Sequence, residues 1–213
     1  MQSVASILAT SHPEKPHIAW HLIVNRTAQR GRTSCSLASL CIALNGLLSA
    51  RSSGSVDKTI CESQILDILD EGDLHRNLSE GTGGATLDQI LEMANKTIVR
   101  LEIPNLHASV HRMEEASGAF LDNFRKDLSF SAKHSKAVLI ANYHQGVATG
   151  KDFTHGHHAP VAPLGEDATE LCVVDPAQEG FSYVLDIEQM AKAMATVDKT
   201  SGINRGYLKI SES

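Results

Sequence analysis

The sequence predicts an α+β domain in which an N-terminal helical part, carrying a cysteine at its first helix, packs on a C-terminal antiparallel sheet. Three observations predict it. Apolar residues recur with a helical period from about residue 34 to about residue 130. From about 136 to 210 they fall into short apolar or alternating runs bounded by Gly, Pro and Asp, as strands do. The two kinds of segment are grouped rather than interleaved as βαβ units, which favours an antiparallel sheet.

The elements follow in order. Residues 34–50 form the clearest helix: Leu37, Leu40, Cys41, Leu44, Leu47 and Leu48 mark one apolar face. Residues 52–54 end it, and 56–69 repeat the helical pattern through Ile60, Ile65, Leu66 and Ile68. Residues 81–84 make a glycine-rich joint, after which Thr86 caps a helix over 87–95; residues 114–128 are helical again. Strands are expected over 137–143, 158–164, 170–174 and 207–210, interrupted by a helix over 186–195 that starts from an Asp186 cap.

The chain of 213 residues reads as one domain over its whole length, with no repeat, low-complexity tract or linker. Its net charge of −6 and lack of a basic cluster argue against a nucleic-acid partner. No stretch has the length of a membrane helix, and residues 1–20 mix His, Pro, Glu and Lys where a signal peptide would be apolar. Four cysteines, Cys35, Cys41, Cys61 and Cys172, lack CxxC spacing. The expectation is a cytoplasmic protein with reduced thiols, each either core filler or reactive.

Cys35 stands at the mouth of the leucine-rich helix, where the positive end of the dipole favours a thiolate. Cys41 lies on the apolar stripe, and Cys61 and Cys172 have no charged or basic group placed for them by the sequence. Gln29, in the loop leading to Cys35, could bring its amide to an oxyanion hole beside the Cys35 backbone N–H; in isolation it reads as a solvated loop residue. Of eleven histidines, most are scattered singly. The segment His155-Gly156-His157-His158-Ala159-Pro160 opens an apolar strand whose antiparallel neighbour ends at Asp175. Such a pair of strands can bring His157 against a carboxylate that fixes its tautomer.

These segments look familiar. Gln29, Thr33-Ser34-Cys35-Ser36-Leu37-Ala38-Ser39-Leu40 and Leu44-Asn45-Gly46-Leu47 resemble the nucleophile block of the phytochelatin synthase family. Tyr143-His144-Gln145-Gly146 and Gly156-His157-His158-Ala159-Pro160 are similar to its Tyr-x-Arg-Gly and Gly-His-Phe-Ser-Pro segments, and Asp175 falls at its triad spacing. The run from Asp198 to Tyr207 is similar to its Asp-x-x-Thr-Gly-x-x-Arg-Gly-Phe segment. The likeness is collinear from Gln29 to Ile210 and loose over 51–135.

The resemblance implies a papain-like fold and a Cys35, His157, Asp175 triad assisted by Gln29. It implies attack on glutathione or a related γ-glutamyl peptide at the Cys–Gly bond, loss of glycine, and a thioester passed to a thiol or to water. Arg205 would then hold the α-carboxylate of the γ-glutamyl group and Asp198 its ammonium, with Gly156 and Tyr143 also in the substrate site. No cofactor is required; Cd or Zn would act through a metal thiolate of the substrate, with no dedicated metal site. The implied protein is a compact prokaryotic-type member without the Cys-rich C-terminal region of plant members, and a homodimer is left open. The sequence departs from the family in having Gln145 for Arg, a longer segment over 147–155, and Pro-Ala-Gln-Glu-Gly-Phe over 176–181 in place of a basic, proline-rich stretch. Two alternatives stay open: the same triad acting on another amino-acid-containing acyl group, and a non-catalytic metal module built on His155, His157 and His158 with Cys35 or Asp175.

Overall fold

A computed structural model of the chain describes residues 17–51, 59–70, 72–165, 168–177 and 181–213. The terminator expected at 52–54, the start of the helix expected at 56, Gln178 and nearly all of the N-terminal segment lie outside these residues. The elements run α1 Ile18–Val24, α2 Cys35–Arg51, α3 Glu62–Ile68, α4 Asp73–Glu80, α5 Leu87–Arg100, β1 Leu106–Arg112 and α6 Gly118–His134. They continue with β2 Ala137–His144, α7 Gln145–Thr149, β3 Gly156–Pro163, β4 Glu170–Val173, β5 Tyr183–Asp186, α8 Ile187–Met194 and β6 Gly206–Glu212.

The six strands make one antiparallel sheet in the order β1-β6-β2-β3-β4-β5. Side chains alternate along each strand, so each buried strand feeds two cores. Val138, Ile140, Ala162, Cys172, Leu208 and Ile210 face the layer of α1, α2, α3 and α5. Leu139, Ala141, Tyr143, Val161, Val173 and Tyr207 face α6 and α8. This is the α+β arrangement that the grouping of periods predicts, with the cysteine-bearing helix on the sheet.

Helix α2 departs from the expectation of one apolar face, for every residue from Cys35 to Leu47 is buried. The face opposite the leucines carries Ile42 among small residues, Ser36, Ala38, Ser39, Ala43 and Gly46, and all of them are buried. A Cβ at Gly46 would stand 2.8 Å from the Leu22 side chain, so α1 crosses there only because the residue is glycine. Full burial fixes the helix axis, and with it the position of its first residue.

Other boundaries moved for local reasons. The expected helix over 56–69 is realised only as Glu62–Ile68. Its predecessor Ile60 is held by the Asn45 amide, which donates to Ile60 O at 2.8 Å and accepts from Ile60 N at 2.9 Å. Helix α6 starts later than residue 114 because Asn204 Nδ2 donates to the carbonyls of Met113 and Glu114, each at 3.1 Å, and ties that segment to the chain before β6. The expected caps form: Thr86 Oγ1 accepts from Gln89 N, and Asp186 accepts from Glu188 N and Gln189 N. Strand β1 falls between two expected helices, in the part expected to be helical overall, and closes one edge of the sheet against β6. Strand β5 and the short helices α1, α4 and α7 had no expected counterpart.

Candidate active site

The mouth of α2, the start of β3 and the loop after β4 converge on a cleft of about 580 Å³. Cys35 opens onto it as the first residue of α2, and Gln29, Asn142, Gln145, His157 and Arg205 share its wall. The thiol stands 3.9 Å from Nδ1 of His158, and the His157 imidazole lies near enough to favour the thiolate. His157 Nε2 lies 2.8 Å from Asp175 Oδ1. A carboxylate only accepts, so Nε2 carries the proton and Nδ1 is left to exchange one with the thiol.

The carboxylate is well anchored. Arg26 donates from Nε to the Asp175 carbonyl and from Nη2 to that of Ala177, both at 2.8 Å. Gln29 N donates to Pro176 O at 2.7 Å, and Ala177 N donates to Asp175 Oδ1 at 2.8 Å. The loop before α2 and the loop after β4 are thereby laced together, and the nucleophile and the carboxylate share one frame.

Burial alone would raise the Cys35 thiol, but hydrogen bonds and charge from His157 and His158 outweigh it and hold it well below the ordinary thiol range. Burial alone would lower His157, yet its bonds to Asp175 and Cys35 carry it up to about 10. Burial pulls Asp175 up, and the bond from His157 brings it below the usual carboxylate range. The three directions describe a thiolate–imidazolium pair steadied by a carboxylate. Cys172, buried without such partners, is pushed up to about 12, and burial pushes Cys41 up further.

Asp198 and Arg205 lie in the same cleft, with Arg205 Nη2 3.6 Å from Asp198 Oδ1. Arg205 is 4% exposed, and its Nε and Nη1 have no partner among the described residues. Buried guanidinium N–H groups left unpaired are costly, and these two have donors to offer an anion in the cleft. Gly156 makes room for it, since a Cβ there would stand 2.8 Å from Arg205 Nη2.

Two expected site residues are placed differently. Tyr143 does not reach the substrate space: it is fully buried on the opposite core face, because strand alternation turns it away from the α2 layer. It packs edge-on to His157 with ring centres 5.8 Å apart, and its hydroxyl meets that of Tyr183 at 2.9 Å. Gln29 lines the cleft, but its Nε2 donates to Gly31 O at 2.8 Å and Arg32 O at 3.1 Å instead of pointing at an oxyanion. The loop carbonyls reach the amide first, and its Oε1 is buried without a partner among the described residues. For the metal module, no three His, Cys, Asp or Glu side chains converge as ligands among the described residues.

Three contributors escaped the sequence. Arg26 gives no signal, because its partners are backbone carbonyls far along the chain. Asn142 is an ordinary polar residue in an apolar run. His158 is visible as one of a pair, but strand alternation sends it to the face away from His157, and only the packing of α2 on that face puts it against Cys35.

A family model described as phytochelatin synthase matches residues 2–207. A glutathione gamma-glutamylcysteinyltransferase of Schizosaccharomyces pombe is 32% identical over 89 residues, 41% of this chain and 21% of that protein. The alignment thus covers well under half of either chain. No helix among the described residues is long and apolar enough to cross a membrane.

Proposed function

The chain belongs to the phytochelatin synthase family, and from that membership and the site we propose that it transfers or hydrolyses the γ-glutamylcysteinyl group of glutathione through a thioester on Cys35. The observation that carries the reading is Cys35 and His157, with Asp175 bonded behind His157, in a cleft whose wall also holds Asp198 and the buried, under-paired Arg205. A γ-glutamyl head presents an α-carboxylate and an α-ammonium, which match Arg205 and Asp198 in charge.

In this reading the Cys35 thiolate attacks the carbonyl of the Cys–Gly amide. The negative charge on its oxygen is met by the backbone N–H of Cys35, which as the first residue of a helix has no intrahelical acceptor. Gln29 joins it by exchanging one of its two carbonyl bonds for the oxyanion. The C–N bond breaks as the His157 imidazolium gives its proton to the leaving glycine amine. His157, now neutral, takes a proton from water or an acceptor thiol as its oxygen or sulfur adds to the thioester carbonyl, and the C–S bond then breaks to give the acylated product and the Cys35 thiolate. Tyr143 and Asp175 orient the ring, and Arg26 orients the Asp175 loop. Zn or Cd, where either matters, would enter as a thiolate complex of the substrate.

Gln145, on the cleft wall where the family resemblance implies Arg, favours a second reading in which the same triad acts on a different amino-acid-containing acyl group. Intact-protein mass spectrometry after incubation with glutathione separates the two. A γ-glutamylcysteinyl adduct on Cys35 with release of glycine supports the first. A thiol that alkylates readily yet takes no acyl group from glutathione supports the second.

A further inference from the structure

β3 presents two adjacent histidines to the nucleophile, and the triad uses only His157. His158 points to the α2 side of the sheet, level with Asn142 on β2. Its Nδ1 lies 3.9 Å from Cys35 Sγ, and its backbone carbonyl accepts from Ser39 Oγ at 2.9 Å, one turn along α2. Helix and strand are pinned at this level, so the ring cannot drift from the sulfur without breaking a buried contact.

The ring is 4% exposed, and Nε2 has no hydrogen-bond partner among the described residues. A buried N–H without an acceptor is costly, and orphaned N–H groups are rarer than under-used acceptors. The arrangement that buries no idle N–H leaves Nε2 bare and aims the Nδ1–H at sulfur. We propose that His158 is a second hydrogen-bond donor to the nucleophile, holding the Cys35 thiolate through Nδ1–H while His157 alone exchanges the proton.

The inference rests on Cys35 being the nucleophile, and it divides the two histidines by task. The thiol proton passes to Nδ1 of His157, and His158 keeps its own. Donors bind a thiolate more strongly than a thiol or a thioester, because the charge is on the sulfur only in the first. His158 therefore favours the state before acylation and the state after the acyl group leaves. A sulfur stabilised as thiolate is a slightly weaker nucleophile but a better leaving group, so the second half-reaction gains most.

The titratable groups that act on Cys35 are His157 and His158 from β3, with Asp175 behind His157; Glu62 on α3 and Tyr143 on the far face of β2 feel its charge without touching it. Replacing His158 alone leaves the others in place. The test is the rate of Cys35 alkylation by iodoacetamide against pH, read by mass spectrometry on the full chain, where an S–C bond forms as iodide leaves. His158→Phe, which keeps an aromatic ring and removes the donor, should move the profile upward by about one to two pH units, or roughly ten- to a hundredfold slower alkylation at acidic pH. His158→Asn, which can offer an amide N–H near the Nδ1 position, should stay within about half of that displacement. If Phe destroys the native melting transition, His158→Met supplies the donor-free arm. Coincident profiles for wild type and the donor-free variant overturn the proposal. Equal displacement in the donor-free and Asn variants overturns it as well, since it assigns the effect to packing. Neither outcome touches the nucleophile itself, which is tested separately by turnover of Cys35→Ala.

Discussion

The mouth and the body of α2 carry the same side chain in opposite conditions. Cys35 and Cys41 are both buried and sit on one continuous helix. At the mouth the thiol has two imidazoles and the free amide end of the helix; in the body it lies in the apolar core, with charge from Glu62 and Cys61 raising it and Arg30 lowering it. Burial pushes both upward, and only the mouth supplies partners that reverse it. Burial thus does not make a cysteine inert. What decides is whether the folded chain brings donors and a base to the sulfur.

The largest expected effect breaks the pair at the mouth. Cys35→Ala should lower turnover by roughly four orders of magnitude or more, to the solution background, while the protein still melts cooperatively. Glycine release assayed over hours with purified variant checks it, and residual turnover near wild type would remove Cys35 from the mechanism.

Next in size is the removal of the carboxylate's charge. Asp175→Asn should reduce kcat by about a hundredfold to ten-thousandfold, because the imidazole loses both its tautomer bias and its counter-charge. The sign of the pH effect follows from the shifts. The productive ion pair exists above the lowered Cys35 value and below the raised His157 value of about 10, so wild-type acylation should fall on the alkaline side near there. With Asp175 neutralised, His157 loses one of the partners that raise it, and the alkaline limb should move to lower pH. A stopped-flow acylation profile from pH 5 to about 11 reads both limbs.

A smaller change probes the Arg205 side of the cleft. Gly156→Ala puts a methyl 2.8 Å from Arg205 Nη2, the free end of a long side chain that can shift without unfolding anything. KM for glutathione should rise about tenfold, in line with a weakened charged hydrogen bond, while Tm stays near wild type. A fall in kcat with KM unchanged would place Arg205 outside substrate binding.

Legibility followed the range of the interactions. Cys35, His157 and Asp175 could be named from the sequence because a helix mouth and a pair of strand ends each leave local signals. The long helix α2 and the caps at Thr86 and Asp186 were readable for the same reason. Strand β1 was missed although Leu106, Ala108 and Val110 alternate, because their faces are only partly buried and the run is an edge. Tyr143 was misplaced because its position in β2 sets its face, and that face depends on which helices cover which side. Gln29 faces the cleft as expected, but nothing in its neighbours told that Gly31 and Arg32 carbonyls would claim its amide. His158 is the clearest case: its residue type is plain in the sequence, and its role depends on a helix laid across the sheet from more than a hundred residues away.

The smallest expected effect on activity returns to the body of α2. Cys41→Ala deletes a sulfur that is wholly buried among leucines and isoleucines of the core. The change leaves a cavity of about one heavy atom, which should cost about 1–2 kcal/mol of stability, seen as a lower denaturation midpoint at unchanged slope. The cleft should not feel it, because Cys41 faces the core packing and the cleft contacts of Cys35 come from β3. Turnover at saturating substrate should therefore stay within about twofold of wild type below the melting range. If activity fell tenfold or more while stability fell only as expected, α2 would be transmitting a shift from its body to its mouth. The full burial that fixes the Cys35 position would then be the link, and the contrast between the two thiols would be one of distance rather than of independence.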